Sequence, residues 1–291
     1  MNENKFALIT GASAGIGAEY ARQLALEWNY NLIVAARRGD QLEELKNNIL
    51  KQCGDAARKP EIITITAGLS KSEGVMDLIA AVDKRGVNID LLVNNAGFGS
   101  LTEFANSSIG WETDMVRVNC LAPMILTHHF LPKMIQRQSL KGGQECRGCC
   151  TVSGHDRCGI INVCSTAAFQ PIPVMATYGA TKSFLYSFTR AVAKEAEDAG
   201  VTITASCPGP TSSDFGKVIG LDSKVPVMPG MTAQAVVRQA LRGFHRGKKV
   251  VIHGLFNKLC VFLSNYLPTS LTLSMLMKAK KGRLVVRGKP L

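Results

Sequence analysis

After Asp222 the chain contains no acidic residue at all. Residues 1–222 carry 21 lysines and arginines against 22 aspartates and glutamates, whereas residues 223–291 carry 13 basic residues and no acidic one. The formal net charge of +12 is therefore confined to one end of the chain. Such asymmetry points to an anionic ligand or surface near that end. Aromatic residues are scarce, at 6%, so the stacking rings that general nucleic-acid binding would interleave with basic residues are missing. No nucleic-acid partner is expected. Internal repeats and long low-complexity tracts are also lacking, which excludes solenoid and fibrous architectures. The first residues, Met-Asn-Glu-Asn-Lys, run directly into a strand-like segment without a basic region followed by an apolar one. Nine cysteines are an odd number in a chain too long for a disulfide scaffold, and Cys120, Cys164, Cys207 and Cys260 lie among apolar residues. They read as reduced core thiols, and the expected location is cytoplasmic.

What remains is a globular composition of 291 residues, 46% apolar and 19% charged, enough for one sizeable core. Short apolar runs at Phe6 to Thr10, Leu32 to Ala35, Ile62 to Ile65, Leu91 to Val93, Ile160 to Cys164, Thr202 to Ser206 and Val250 to Ile252 alternate with helix-length segments at 15–28, 40–53, 71–84, 112–138, 176–199 and 232–243. Successive βα units of this kind predict an α/β fold: a Rossmann-type, doubly wound, parallel seven-stranded sheet with helices on both faces. Residues 1–254 form the expected catalytic unit. Residues 255–291, two apolar helices broken at Pro268 and a basic tail, belong to the same domain. A cysteine-rich stretch at about 142–158 has no apolar period and reads as an inserted loop whose removal, from Gln144 to Cys158, leaves a folded chain.

The chemistry concentrates at strand ends. The first strand runs into Thr10-Gly11-Ala12-Ser13-Ala14-Gly15-Ile16-Gly17, where glycines allow a tight turn and close approach of a pyrophosphate to a helix N-terminus. Twenty residues beyond Gly17, where an NAD-preferring fold places a carboxylate for the ribose 2′-hydroxyl, stand Arg37 and Arg38. Guanidinium groups there suit a 2′-phosphate, so NADP(H) is the expected cofactor. Asp40 follows too late for the ribose and reads as a helix cap. Tyr178 and Lys182 are four residues apart on one face of a predicted helix, and Ser165 follows the fifth strand. An ammonium about 4 Å from a phenol supplies roughly the 4 kcal/mol needed to bring its pKa from about 10 to about 7. Tyr178 is thus expected to be an acid/base whose pKa Lys182 and the oxidised nicotinamide together lower.

In these motifs the chain resembles the short-chain dehydrogenase/reductase family, of standard length, from Lys5 to about Ile252. The resemblance implies that Asn94, Asn95, Ala96 and Gly97 support the sheet and the adenosine. It implies that Asn119 orients a water in a proton relay, and that Ser165, thirteen residues before Tyr178, holds the substrate oxygen. Lys182 also binds the nicotinamide ribose, and Pro208, Gly209 and Thr211 secure the nicotinamide. The implied catalytic set is Tyr178, Lys182, Ser165 and Asn119; the implied cofactor set is Gly11, Ser13, Ala14, Gly15, Ile16, Gly17, Arg37, Arg38, Asn95, Ala96, Gly97, Lys182, Pro208, Gly209 and Thr211. The implied reaction interconverts a ketone and a secondary alcohol of hydrophobic, acyl or steroid-like type, and family members are often homodimers or homotetramers.

Two departures stand out. Where the family has an Asp beside the adenine, this chain has Gly68, so a hydrogen bond of about 0.5 to 1.5 kcal/mol is missing. This keeps open an alternative, a catalytically weak cofactor sensor or scaffold. The second departure is the insertion. Its Cys146, Cys149, Cys150, His155 and Cys158 suit tetrahedral zinc as residue types but lack a matching second half, so no metal site is assigned. Beyond Ile252, Leu255, Leu259, Phe262 and Tyr266 share one face of an amphipathic helix. The segment reads either as a lid over the substrate or, with its basic tail, as a peripheral contact with anionic membrane.

Overall fold

The computed structural model describes residues 5–54, 58–142, 157–212, 230–264 and 266–281. Seven strands form one parallel sheet in the order β3-β2-β1-β4-β5-β6-β9: β1 Phe6–Thr10, β2 Asn31–Ala36, β3 Ile62–Thr66, β4 Ile89–Asn94, β5 Gly159–Val163, β6 Thr202–Cys207 and β9 Val250–Ile252. A separate pair, β7 Thr211–Ser212 and β8 Met231–Thr232, runs parallel beside it. The doubly wound seven-stranded expectation holds, with boundaries shifted by one or two residues; Cys164 falls just beyond β5.

Period-two alternation along the strands builds a core on each face of the sheet. Leu8, Ile33, Leu92, Ile160 and Ile203 point to one side, against α3 Ser72–Asp83, α5 Ala122–Gly142 and α6 Ala176–Glu195. Ala7, Ile9, Leu32, Val34, Leu91, Val93 and Ile161 point to the other, against α1 Gly15–Leu26, α2 Gly39–Cys53 and α7 Ala233–His245. The order reverses between β1 and β4, the switch point at which ligands bind in open α/β sheets.

Three expectations need correction. The helix read over 112–138 is not continuous: α4 Ile109–Val116 passes through a π turn, Arg117–Leu121, before α5 begins. Amphipathic periodicity cannot register one extra residue per turn, which is why the interruption escaped it. Asp40 is not a cap; Arg38 occupies the cap position and Asp40 lies in the first turn of α2, where its charge complements the helix dipole. Cys158 is not part of an exposed loop. It is buried in the core beside Arg137, whose Nη2 lies 3.6 Å from its sulfur. Cys146, Cys149, Cys150 and His155 lie outside the described residues.

The C-terminal segment forms α8 Leu255–Ser264 and α9 Thr269–Lys281, separated around Pro268 as expected. Among the described residues, no helix is long and apolar enough to cross a membrane. The tail beyond Lys281 lies outside the described residues.

Candidate active site

Thr10 closes β1 and acts as the hub of the cofactor-side turn. Its hydroxyl accepts hydrogen bonds from the backbone N–H of Asn95 and of Ala96, each at 3.1 Å. Asn95 reciprocates, its Nδ2 donating to the carbonyls of Thr10 at 2.9 Å and Gly11 at 3.1 Å. The glycine turn is thereby fastened to the end of β4. Gly11 holds φ +65°, and a Cβ there would lie 2.8 Å from Ala96 Cα; one at Gly17 would lie 2.3 Å from the carbonyl oxygen of Gly11. Only glycine permits this closeness. Ala14 precedes α1 with no side-chain cap, and the first turn of α1 has no acidic residue. Open N–H groups at the positive end of a helix, next to a backbone packed this tightly, suit a pyrophosphate.

Arg37 and Arg38 are both exposed at the end of β2. Arg38 Nη2 donates to Ser13 Oγ at 3.0 Å, so its guanidinium is held against the glycine turn. Of the two arginines it is the better placed for a phosphate on the ribose. At Gly68 a Cβ would meet nothing within 4 Å, so the missing acidic side chain leaves open space.

Ser165 caps the 3₁₀ turn Thr166–Phe169, its Oγ accepting from Ala167 N–H at 3.1 Å. Tyr178 lies in the first turn of α6, and Lys182 follows one turn later. The Lys182 Nζ donates to the Val163 carbonyl at 2.8 Å and stands 5.9 Å from the centre of the Tyr178 ring. The structure brings Ser165, Tyr178, Lys182 and Asn119 together. Gly97 adjoins them: a Cβ there would lie 3.0 Å from Asn119 Oδ1 and 3.3 Å from Lys182 Nζ.

Asn119 occupies the π turn, fully buried, and both ends of its amide are engaged. Nδ2 donates to the Phe98 carbonyl at 2.9 Å and to Thr181 Oγ1 at 3.0 Å, while Oδ1 accepts from Phe98 N–H at 3.1 Å. Thr181 Oγ1 in turn donates to the Tyr178 carbonyl at 2.8 Å. The side chain thus clamps the segment after β4 to the catalytic helix. Phe98 and Thr181, which no motif singled out, are its partners.

The electrostatics differ from expectation. Burial pushes the Tyr178 phenol up to about 12, a hydrogen bond with Ser165 offsetting part of the rise. Burial also lowers the Lys182 ammonium, while the neighbouring thiols Cys164, Cys120 and Cys207 act in the opposite direction. In the chain itself burial of the phenol outweighs the hydrogen bond with Ser165, so Tyr178 stands above, not below, its ordinary value.

On the opposite rim, Pro208 accepts from Thr166 N–H at 2.8 Å, and Thr211 Oγ1 donates to the Gly209 carbonyl at 3.0 Å. A Cβ on Gly209 would lie 2.5 Å from the side-chain amide of Asn257, so α8 rests directly on this segment. Val174, two residues before α6, holds φ +58°, with its carbonyl accepting from Thr102 N–H at 2.9 Å. For a β-branched residue that backbone costs on the order of 1–3 kcal/mol, a strain kept at the entrance to the catalytic helix.

Comparison with known proteins gives a consistent picture. A family model described as short chain dehydrogenase matches residues 5–144 and 146–224. The very-long-chain 3-oxoacyl-CoA reductase of Phaeosphaeria nodorum is 32% identical over 204 residues, covering 68% of this chain and 52% of that protein. The chain therefore spans about half the length of that relative. A short-chain dehydrogenase of Sphingobium yanoikuyae, solved in complex with NADPH, aligns with a TM-score of 0.71 at 25% identity over 96% of this chain and 94% of its own. A bulky-bulky ketone specific alcohol dehydrogenase of Comamonas testosteroni aligns with a TM-score of 0.69 at 25% identity, over 97% and 94%.

Proposed function

The chain belongs to the short-chain dehydrogenase family, and from that premise we propose that it is an NADP(H)-dependent oxidoreductase interconverting a bulky, apolar ketone and its secondary alcohol. The observation that carries this reading is the convergence of Ser165, Tyr178, Lys182 and Asn119 beside Gly97 at the carboxyl ends of β4 and β5. Substrate size is inferred from the relatives named for 3-oxoacyl-CoA and bulky ketones.

The glycine turn fits a dinucleotide, since Gly11 and Gly17 pack it too tightly to admit a Cβ and the N-terminus of α1 behind it has no side-chain cap and no acidic residue in its first turn. Gly11, Ser13, Ala14, Gly15, Ile16 and Gly17 would hold the pyrophosphate, with Asn95, Ala96 and Gly97 alongside. Arg38 and Arg37 would meet the 2′-phosphate, while Lys182, Pro208, Gly209 and Thr211 would flank the nicotinamide end. When bound, the cofactor supplies the hydride. The remaining chemistry belongs to the chain. Ser165 Oγ donates a hydrogen bond to the substrate carbonyl and polarises it. Tyr178 gives its phenolic proton to the same oxygen as charge develops there. Lys182, oriented by the Val163 carbonyl, restores that proton from solvent. Asn119 holds the geometry by tying Phe98 to Thr181. Residues 1–254 and the two C-terminal helices are read as one domain, a reading supported by the seat of Asn257 on Gly209.

The alternative, a cofactor sensor with little turnover, draws its support from Gly68. Following NADPH absorbance with a panel of bulky ketones, 3-oxoacyl thioesters and oxosteroids separates the two. Turnover of at least one, with NADPH preferred over NADH, is expected. Tight NADPH binding without turnover of any would favour the sensor, and failure to bind NADPH would overturn both.

A further inference from the structure

A helix on the surface of a water-soluble domain turns its apolar stripe inward and its polar face outward. Helix α8 does the reverse. Its inner edge is made of Asn257, which donates to the His253 carbonyl at 2.7 Å, and Val261, its one buried residue. The outer face carries Leu255, Phe256, Leu259, Phe262 and Leu263, with Leu255 83% and Phe256 62% exposed. Tyr266 continues the strip at 73% exposure, its ring 4.8 Å from that of Phe262. On α9, Leu271 and Met275 are also exposed. Contiguous apolar surface of this extent marks an interaction site.

We propose that α8 and its continuation into α9 dock this protein on an anionic lipid surface, with the rim of the active site facing the bilayer. Charge selects this occupant. The strip lies within residues 223–291, which hold 13 lysines and arginines and no acidic residue. Lys258 and Lys278 are exposed within the two helices themselves. A second copy of the chain meeting the strip face to face would bring two acid-free basic segments together, whereas anionic headgroups neutralise them. Lysines at the border of an exposed apolar face suit a helix lying on a lipid surface, and no helix among the described residues is long and apolar enough to span one. A lid closed over the substrate would bury the outer residues, yet they point away from the domain.

The placement gives docking a consequence. Helix α8 packs against the 3₁₀ turn Thr166–Phe169 that follows Ser165, and Asn257 presses on Gly209. Docking through α8 would therefore hold the turn that follows Ser165 close to the lipid surface, where an apolar ketone dissolved in the bilayer is concentrated. That consequence rests on the function proposed above; docking itself does not, and it is measured without substrate.

The test is sedimentation of the full-length protein with vesicles of phosphatidylcholine alone and of phosphatidylcholine with phosphatidylserine, at low and at high salt. Binding to the anionic vesicles at low salt is expected, weakened about tenfold or more by high salt or by neutral lipid. A Phe256→Ser, Phe262→Ser variant, checked for an unchanged thermal melt, is expected to lose binding by a similar factor. Should that variant melt early, the salt and lipid dependence of the wild type decides alone. No binding to either vesicle overturns the proposal, as does equal, salt-insensitive binding to both. Light scattering that shows a dimer dissolved by the same variant, with no vesicle binding, would assign the strip to a second copy instead.

Discussion

Tyr178 carries its proton in a site where burial and the hydrogen bond with Ser165 act in opposite directions. With its phenol pushed up to about 12 by desolvation, the protonated form dominates throughout the neutral range. A raised pKa keeps the acid available at every pH below it and supplies the base only as pH climbs towards it. Ketone reduction is therefore expected to be nearly flat from about pH 6 to about pH 9, while oxidation of the corresponding alcohol rises with pH over the same range. Parallel pH–rate profiles check this; oxidation fastest at low pH would contradict it. At the cofactor end, Arg38→Asp removes the guanidinium that Ser13 steadies. The loss of a charge-assisted bond is expected to weaken NADPH binding by about tenfold or more, at roughly 1.5–3 kcal/mol, and to leave NADH nearly unchanged. Calorimetry with both nucleotides decides it. Spacing pointed to the pair Arg37 and Arg38 but could not rank its members. The bond to Ser13 is a side-chain contact across 25 positions, which spacing cannot reveal.

Elements differ in how much of them the sequence discloses. The strands were legible because each is a short apolar run between turn residues, and the helices because their apolar positions recur at helical spacing. The Tyr178–Lys182 pair was legible because four residues make one helical turn. The π turn was not, since Asn119 is distinguished by what its amide grips, Phe98 and Thr181, and those contacts span 21 and 62 positions. Nor was the polar contact that joins β6 to the residue after β9: Ser206 Oγ lies 2.9 Å from His253 Nε2, both fully buried. Burial lowers His253 to about 4, with Lys258 adding to the shift. In the unfolded chain an ordinary histidine takes up a proton near pH 6.5, while the folded one remains neutral until about pH 4. Stability is thus present above about pH 6.5 and falls as pH drops through that window, by up to about 3 kcal/mol. Thermal melts from pH 7 to pH 4 are expected to show the decline, and His253→Asn to flatten it. A wild-type melting temperature constant across that window would contradict the assignment.

For the whole molecule, the inserted stretch and the C-terminal segment are where composition was least informative. A lack of apolar period marked 142–158 as an insertion but misplaced its end. Arg157 Nε donates to the His245 carbonyl at 2.8 Å, its Nη1 to Thr202 Oγ1 at 3.2 Å, and Cys158 packs in the core. Deleting residues 144–156 is expected to leave a folded protein, whereas extending the deletion through Cys158 costs these contacts and about 2 kcal/mol or more. Denaturant melts of the two deletions compare them directly; equal stability would show that Arg157 anchors nothing. The C-terminal helices were legible as helices, but which way their apolar residues face depends on the surface they rest on. The proposed reaction turns on one proton. In a steady-state assay with NADPH and an accepted ketone, Tyr178→Phe is expected to lose more than about a hundredfold in kcat, with NADPH affinity within about twofold of wild type, because only the transferable proton is removed. A variant that keeps more than about a tenth of the wild-type rate, a barrier change below about 1.4 kcal/mol, would show that Tyr178 is not the acid.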